Sequence, residues 1–178
     1  AWANSLFEDN AEFGFGMYLA QKTLRGNVKD EVEALAAETS DANIKAAIDE
    51  YLATFDETLK NTEATDKLLA AIANDSSAHA KEIIKNKDYA AKKSQWIFGG
   101  DGWAFDIGFG GLDHVLASGK DVNVLVVNTE VYSNTGGQSS KATPTGAVAQ
   151  FAAGGKEIKQ KDLASIAMSY GYVYVATS

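Results

Sequence analysis

Apolar residues recur every three or four positions through the first half of the chain, and they run almost unbroken at two places in the second half. The first pattern predicts a helix over residues 9–25, closed by Gly26 and Asn27. Residues 29–92 are charged, alanine-rich and free of glycine. Their pattern predicts three or four amphipathic helices with breaks near residues 39–41, 61–64 and 74–77.

The two apolar runs predict parallel strands. Residues 95–98 are followed by two glycines, Gly99 and Gly100, which suits a strand that stops at a ligand. Residues 122–127 are apolar except for Asn123, a pattern typical of a parallel strand covered on both faces. A further helix over residues 162–170, stopped by Gly171, and a strand over residues 172–176 complete the prediction.

These elements predict an α/β fold with a parallel sheet and a helical insertion. We expect residues 1–28 to form an N-terminal helical part, residues 29–93 the insertion, and residues 94–178 a strand-helix-strand core. The insertion has two open interpretations: a cover or partner-docking arm, or a solvated segment stabilised by its own apolar stripe.

Composition narrows the function classes. The 178 residues are 46% hydrophobic, enough for one core of ordinary size. A net charge of -8 without a basic cluster argues against nucleic acid and anionic membranes as partners. No apolar run approaches the roughly 20 residues that cross a bilayer, and no signal peptide is present, so we expect a cytoplasmic location. The chain has no cysteine, which excludes disulfides and cysteine-ligated zinc or iron-sulfur clusters within it.

Candidate chemistry begins where the first strand ends. Asp101 lies between Gly100 and Gly102, and Trp103 opens a helix whose first N–H groups attract anionic oxygen. A carboxylate beside a phosphate is favourable only when a cation lies between them. Magnesium suits this position, because it takes oxygen ligands from one or two carboxylates together with substrate phosphates.

A second polar turn follows the other strand, about thirty residues later. The Thr129 hydroxyl and the Val131 carbonyl could complete a magnesium shell begun by Asp101, and Asn134 could reach a substrate. Ligands of open α/β sheets bind where strands end in this way. One strand-helix-strand unit would bring the two turns together around a diphosphate, and we interpret them as a thiamine diphosphate and magnesium site.

At these residues the chain resembles a known family. The sequence GDGWAFDIGFGGLDHVLASGKDVNVLVVNTEVYSNTGGQSSKATPTGA, which runs from Gly100 to Ala147, is similar to the C-terminal part of the thiamine-diphosphate domain of pyruvate:ferredoxin (or flavodoxin) oxidoreductases. Residues 1–17 and 168–177 also resemble that family. A Gly-Asp-Gly turn alone is weak support, whereas forty residues in register are highly specific.

The resemblance assigns roles position by position. It implies that Asp101, Thr129 and Val131 hold magnesium, and that Asn134 contacts the keto-acid substrate. Asn128 departs from the family, in which we expect aspartate. The implied cofactor-binding residues are Gly100, Asp101, Gly102, Trp103, Thr129, Glu130, Val131, Tyr132, Ser133 and Asn134.

The activity implied by the resemblance is the oxidative decarboxylation of pyruvate with coenzyme A, giving acetyl-CoA and CO2. Electrons would pass through [4Fe-4S] clusters to ferredoxin or flavodoxin in a homodimer. Since the chain has no cysteine and begins without methionine, we expect it to be a piece of a longer polypeptide and inactive alone. The family's cluster cysteines, its activating glutamate, and the arginine and threonine that grip pyruvate would lie outside these residues.

Two other functions stay open: an oxidoreductase for another 2-keto acid, and a non-catalytic module that binds the cofactor.

Several residues also have two interpretations. His114 could be an acid-base group, although a helix-face or buried position is favoured, and His79 is expected on the surface in a break between helices. Glu130 could be a further metal ligand, although a structural or salt-bridge role is favoured. Gly108, Gly110 and Gly111 could suggest a dinucleotide-binding motif, but close helix packing explains them better.

Overall fold

The computed structural model describes residues 10–178, so the predicted helix start at Asp9 and most of the N-terminal resemblance lie outside the described residues. Contacts divide the chain into two compact units. One comprises Ala1–Met17 and Gln95–Ser178, and the other comprises Tyr18–Ser94. We call them the sheet unit and the helical unit. The predicted domain boundaries at residues 28 and 93 stay a prediction, because a compact unit need not coincide with an inserted segment.

The helical unit carries helices separated by short turns, as the amphipathic pattern predicted. The helices are α1 (Ala11–Glu38), whose residues before Tyr18 count with the sheet unit, α2 (Ala42–Ala53), α3 (Thr58–Ala71) and α4 (Ala78–Lys85), followed by a 3-10 turn at Lys87–Tyr89. Asp41 caps α2 by accepting from the backbone N–H groups of Asn43 and Ile44, and Ser77 caps α4 in the same way. The predicted breaks near residues 39–41 and 74–77 are confirmed.

The prediction that Gly26 and Asn27 end the first helix is wrong. Helix α1 continues to Glu38 because Val28, Val32 and Leu35 lie fully buried along one face. Glycine costs about 1 kcal/mol in a helix interior, which this apolar burial outweighs.

The predicted break at residues 61–64 is also wrong, since these residues lie inside α3 and the turn comes earlier, after Ala53. Asn61 is fully buried, and its side-chain oxygen accepts from the Arg25 guanidinium at 3.0 Å and from the Lys92 N–H at 2.8 Å. Arg25 also donates to the carbonyls of Phe55 and Ala90. Burial lowers the pKa of Arg25. A polar residue therefore marks a buried hydrogen-bonding centre here rather than a break.

The sheet unit contains the predicted parallel strands. Strand β1 (Trp96–Gly100) pairs with β2 (Asn123–Val127) in register, with Trp96 opposite Asn123 and Gly100 opposite Val127. Between them lie a π-helix (Gly102–Ile107) and α5 (Phe109–Ala117). This parallel sheet with helical connections confirms the predicted α/β class.

Only one face of the two strands is covered within the described residues. Ile97 is buried, with Val124 and Val126 packed against the same core. Phe98, Leu125 and Val127 on the opposite face are 62%, 44% and 53% exposed. The prediction that both faces are covered is therefore wrong for residues 10–178.

Beyond β2 the backbone forms a short hairpin and one further helix. Strands β3 (Val131–Tyr132) and β4 (Gln138–Ser139) pair antiparallel around a turn in which Gly136 and Gly137 have positive φ. Asp162 caps α6 (Leu163–Met168), which confirms the predicted helix. Residues 172–176 are irregular, so the strand predicted there is wrong; an alternating pattern gives a strand only when a partner strand pairs with it. Throughout residues 10–178, each helix falls short of the length or apolarity needed to cross a membrane.

Candidate functional site

Asp101 and Thr129 meet where β1 and β2 end. One oxygen of the buried Asp101 carboxylate, Oδ1, accepts from the Thr129 backbone N–H at 3.1 Å and from its hydroxyl at 2.9 Å. Because parallel strands end at the same edge of a sheet, the residues that follow β1 and β2 become neighbours. The structure thus brings together two residues that lie 28 positions apart.

The Thr129 hydroxyl lies among several oxygens. Its Oγ1 is 2.9 Å from Asp101 Oδ1, 3.1 Å from the Val131 carbonyl oxygen and 3.0 Å from Ser133 Oγ. A hydroxyl has one proton, so Thr129 can donate to Asp101 or to Val131 but not to both. The two acceptors nevertheless lie at hydrogen-bonding distance from the same atom.

A cleft of about 290 Å³ opens beside this group of oxygens. Every residue predicted for the site lines it except Glu130, which adopts a positive φ of 66°. Asn128 accepts from the Glu130 N–H at 3.0 Å, so a neutral amide performs the turn-closing role that an aspartate would perform. The lining residues are Phe98, Gly99, Gly100, Asp101, Gly102, Trp103, Val127, Thr129, Val131, Tyr132, Ser133 and Asn134.

Aromatic rings occupy the space beside two of the glycines. A methyl group on Gly99 would lie 2.1 Å from the Trp103 ring, and one on Gly102 would lie 2.5 Å from the Tyr132 ring. At Gly100 the nearest atom would be the Val127 carbonyl oxygen, 4.0 Å away. Gly99 and Gly102 therefore make room for side chains of this chain, and only Gly100 leaves open space of the kind expected at a phosphate.

The segment after Asp101 winds as a π-helix rather than the predicted ordinary helix. The Gly108 N–H donates to the Trp103 carbonyl across five residues, at 2.8 Å. The Lys161 ammonium donates to the Phe105 carbonyl at 3.0 Å and lies 3.1 Å from the centre of the Phe109 ring. Burial lowers the pKa of Lys161. π-helical turns are frequent at functional sites, where they re-aim side chains.

Sequence reasoning missed Ser140, which binds the Asp101 carboxylate, and Lys156, which binds the turn that contains Ser140. The Ser140 hydroxyl donates to the second carboxylate oxygen, Oδ2, at 2.7 Å. Lys156 is only 9% exposed and donates to the carbonyls of Ser140, Lys141 and Thr143. Ser140 lies within the segment that resembles the family. Nothing in the sequence, however, distinguishes the buried Lys156 from the exposed Lys159.

The histidines lie away from the cleft. His114 is exposed on α5 and meets the edge of the Phe15 ring, which confirms the favoured structural interpretation. His79 lies in the first turn of α4, not in a break, and its Nδ1 is 2.7 Å from Glu31 Oε2. Gly108 confirms close packing, because a methyl group there would lie 2.1 Å from the Trp103 ring, whereas one on Gly110 would meet nothing within 4 Å.

Residues 10–178 contain no group of three or more histidine, cysteine, aspartate or glutamate side chains placed to hold a metal ion. A metal at the cleft would therefore depend on the Asp101 carboxylate, the Thr129 hydroxyl, the Val131 carbonyl and oxygens of a bound ligand. Magnesium sites in enzymes are commonly completed by substrate phosphates in this manner.

Comparison with known proteins places the chain in a family. Residues 76–178 match the model of the thiamine pyrophosphate enzyme, C-terminal TPP binding domain. The chain is 54% identical over 178 residues to a pyruvate-flavodoxin oxidoreductase of Klebsiella pneumoniae and 57% identical over 185 residues to a pyruvate:ferredoxin oxidoreductase of Moorella thermoacetica. A mitochondrial pyruvate dehydrogenase [NADP(+)] of Euglena gracilis is 49% identical over 180 residues.

Each of these alignments covers 99% of the chain but only 15%, 16% and 10% of the respective relative. The resemblance to pyruvate:ferredoxin and pyruvate-flavodoxin oxidoreductases is thereby confirmed. The chain belongs to the thiamine pyrophosphate enzyme family and carries its C-terminal cofactor-binding domain in residues 76–178.

Proposed function

We propose that this chain binds the magnesium-diphosphate end of thiamine diphosphate within a pyruvate oxidoreductase. The observation that carries the proposal is the 2.9 Å contact between Asp101 Oδ1 and Thr129 Oγ1 at the edge of the cleft. It supplies a carboxylate and a hydroxyl oxygen on one side of a space that the diphosphate would enter.

The spacing of the oxygens fits a magnesium ion. Adjacent ligands of an octahedral ion with bonds of roughly 2.1 Å lie roughly 3.0 Å apart. Thr129 Oγ1 lies 2.9 Å from Asp101 Oδ1 and 3.1 Å from the Val131 carbonyl, close to that separation on both sides. A cation would also explain how a hydroxyl with one proton can approach two acceptors. Asp101, Thr129 and Val131 would each give one ligand, leaving the remaining positions to phosphate and water.

Other residues would hold the rest of the cofactor. Because no side chain caps the start of the π-helix, the backbone N–H groups of Gly102 and Trp103 would donate to phosphate oxygen. Gly100 would leave space for the diphosphate, and the segment from Thr129 to Asn134, including Glu130, Tyr132 and Ser133, would form the second wall. Bound thiamine diphosphate supplies a carbanion that attacks 2-keto acids and an electron sink for decarboxylation.

Asn134 would contact the substrate. Its side chain is exposed and lines the cleft, and an amide can both donate to a carboxylate and accept from a hydroxyl. We therefore assign it the orientation of the keto acid rather than the anchoring of the cofactor.

The relatives are named as pyruvate-flavodoxin and pyruvate:ferredoxin oxidoreductases, and these names support a proposal for the whole protein. We propose oxidative decarboxylation of pyruvate with coenzyme A, with ferredoxin or flavodoxin as electron acceptor, in a cytoplasmic homodimer. Because this chain has no cysteine, any [4Fe-4S] clusters would be bound by other domains of the same polypeptide. The chain by itself would bind the cofactor without oxidising pyruvate.

Calorimetric titration with thiamine diphosphate tests the proposed site. We expect saturable binding in the presence of Mg²⁺ and its loss when EDTA removes the metal. Thiamine without phosphates is the matched ligand control and should bind weakly in both conditions. Equal binding of thiamine and thiamine diphosphate, or binding that persists in EDTA, would contradict the proposal, as would no binding with Mg²⁺ present.

A further inference from the structure

A buried lysine, Lys156, binds the turn at residues 140–143 next to the candidate site. Lys156 is 9% exposed, and its ammonium donates to three backbone carbonyls: Ser140 at 3.0 Å, Lys141 at 3.1 Å and Thr143 at 2.6 Å. An ammonium has three N–H donors, so all three are used. The charge therefore fixes the shape of the turn at residues 140–143.

This turn connects the lysine to Asp101 through a chain of hydrogen bonds. The Lys141 carbonyl that accepts from Lys156 belongs to the same peptide unit as the Ala142 N–H. That N–H donates to Ser140 Oγ at 3.1 Å, and the Ser140 hydroxyl donates to Asp101 Oδ2 at 2.7 Å. Each donor in the chain points from the ammonium toward the carboxylate, and aligned hydrogen bonds of this kind polarise and strengthen one another.

The same turn also holds the second wall of the cleft. Thr143 Oγ1 accepts from the Ser140 N–H at 2.9 Å and donates to the Glu130 carbonyl. Glu130 adopts a positive φ and precedes Val131, whose carbonyl lies beside the Thr129 hydroxyl. A turn that moved would therefore disturb both the Asp101 carboxylate and the Val131 carbonyl.

We propose that Lys156 is a positioning residue for the cation-binding oxygens, acting through the peptide unit of Lys141 and Ala142 and the Ser140 hydroxyl. Because Oδ2 accepts from Ser140 while Oδ1 lies beside the Thr129 hydroxyl, Asp101 would bind a metal through Oδ1. The inference rests on the proposed function, because it concerns the same site, but the positioning of Asp101 is measurable without cofactor.

Amide hydrogen exchange measured by NMR on the cofactor-free chain tests this positioning. The Thr129 N–H reports on Asp101, since it donates to Oδ1. We expect Lys156→Met, which keeps the length of the side chain but removes the charge and the donors, to speed Thr129 exchange by about tenfold. The Asn123 N–H, which donates to the Gln95 carbonyl at the start of β2, should exchange as in the wild type.

Two further variants separate positioning from general damage. Lys159→Met removes an exposed lysine of the same loop and should leave Thr129 exchange unchanged. Ser140→Ala breaks the chain of hydrogen bonds beyond the lysine. If Lys156 acts through Ser140, the double variant should exchange no more than about twofold faster than the faster single variant, instead of showing the product of both effects.

The outcomes are distinct. Wild-type Thr129 exchange in Lys156→Met with Asn123 protected, or multiplying effects in the double variant, would overturn the inference. If Lys156→Met does not fold, Ser140→Ala decides, because the proposed chain of hydrogen bonds passes through Ser140: wild-type Thr129 exchange in Ser140→Ala would overturn the inference, and faster exchange with Asn123 protected would support it. Titration with thiamine diphosphate and Mg²⁺ gives a second readout: a wild-type chain that does not bind would refute the proposed function, while the exchange data still decide whether Lys156 positions Asp101.

Discussion

The hydroxyl of Thr129 lies 2.9 Å from a carboxylate oxygen of Asp101, although 28 positions separate the two residues in the chain. The parallel pairing of β1 and β2 accounts for this contact, because Gly100 and Val127, the last residues of the two strands, stand opposite each other. Asp101 is the first residue after Gly100, and Thr129 is the second residue after Val127. The two side chains therefore meet at the same edge of the sheet. The sheet register therefore determines the geometry of the candidate site.

Replacement of Asp101 by asparagine should abolish metal-dependent cofactor binding. The amide keeps the size of the side chain but removes the charge that would neutralise a divalent cation. We expect the apparent affinity for thiamine diphosphate with Mg²⁺ to fall by more than the roughly 10- to 100-fold that is typical of losing an outer partner of a metal site. Calorimetry measures this loss, and Asp66→Asn, an exposed change on α3, is the control. Unchanged affinity in Asp101→Asn would remove Asp101 from the site.

Asn134→Ala should impair pyruvate turnover while leaving cofactor binding almost unchanged. If Asn134 orients the keto acid, the variant should retain thiamine diphosphate within about threefold of the wild type, because it removes no proposed ligand of the metal. In a complete enzyme that carries this domain, pyruvate turnover should fall by about tenfold or more. Parallel loss of cofactor affinity and turnover would instead place Asn134 among the anchoring residues.

Gly102→Ala should destabilise the sheet unit. The added methyl group would lie 2.5 Å from the Tyr132 ring, and the ring would have to move out of its position on the wall of the cleft. Overpacking of this kind costs roughly 1–3 kcal/mol of unfolding free energy. Gly100→Ala is the matched control, since its nearest neighbour would be 4.0 Å away. Urea unfolding measures both variants, and equal stabilities would show that Tyr132 adjusts freely.

The parts of the site found from the sequence share a physical origin. Strand ends, glycines and polar turns are local features, and the order of strand, helix and strand places the ends of two strands together. Asp101, Thr129, Val131 and Asn134 could be selected on that basis. The support behind them could not, because the burial of Lys156 and its contacts with the turn at residues 140–143 depend on how a distant loop folds back.

The errors in the helical unit have the same cause. Gly26 and Asn61 carry local signals for a break, yet both lie inside helices. At Gly26 the burial of neighbouring apolar residues decides, and at Asn61 the buried guanidinium of Arg25 supplies a partner for a polar side chain. Tertiary contacts override local preference in both cases. The prediction for β2 is wrong in the opposite direction. Its apolar sequence predicts burial on both faces, but within the described residues one face is exposed.

The helical unit should lose stability as His79 deprotonates. His79 Nδ1 lies 2.7 Å from Glu31 Oε2, and Nε2 lies 3.5 Å from Glu38 Oε1. The hydrogen bond with Glu31, followed by the charges of Glu38 and Glu31, raises the pKa of His79 above its ordinary value of 6.5. Because the folded state binds the proton more tightly than the unfolded state, the stabilisation is complete below the ordinary pKa. It is lost as the pH rises through the raised value.

Thermal unfolding followed by circular dichroism between about pH 6 and about pH 9 tests this prediction. The wild type should lose stability relative to His79→Gln as the pH rises, and the two curves should converge at the alkaline end, where His79 carries no charge. His114→Gln is the control, because His114 is exposed on α5 and meets the edge of the Phe15 ring rather than a carboxylate. The difference between wild type and His79→Gln should also shrink in high salt, since exposed ion pairs are screened. A difference that is independent of pH would show that His79 stabilises α4 through packing and not through its charge.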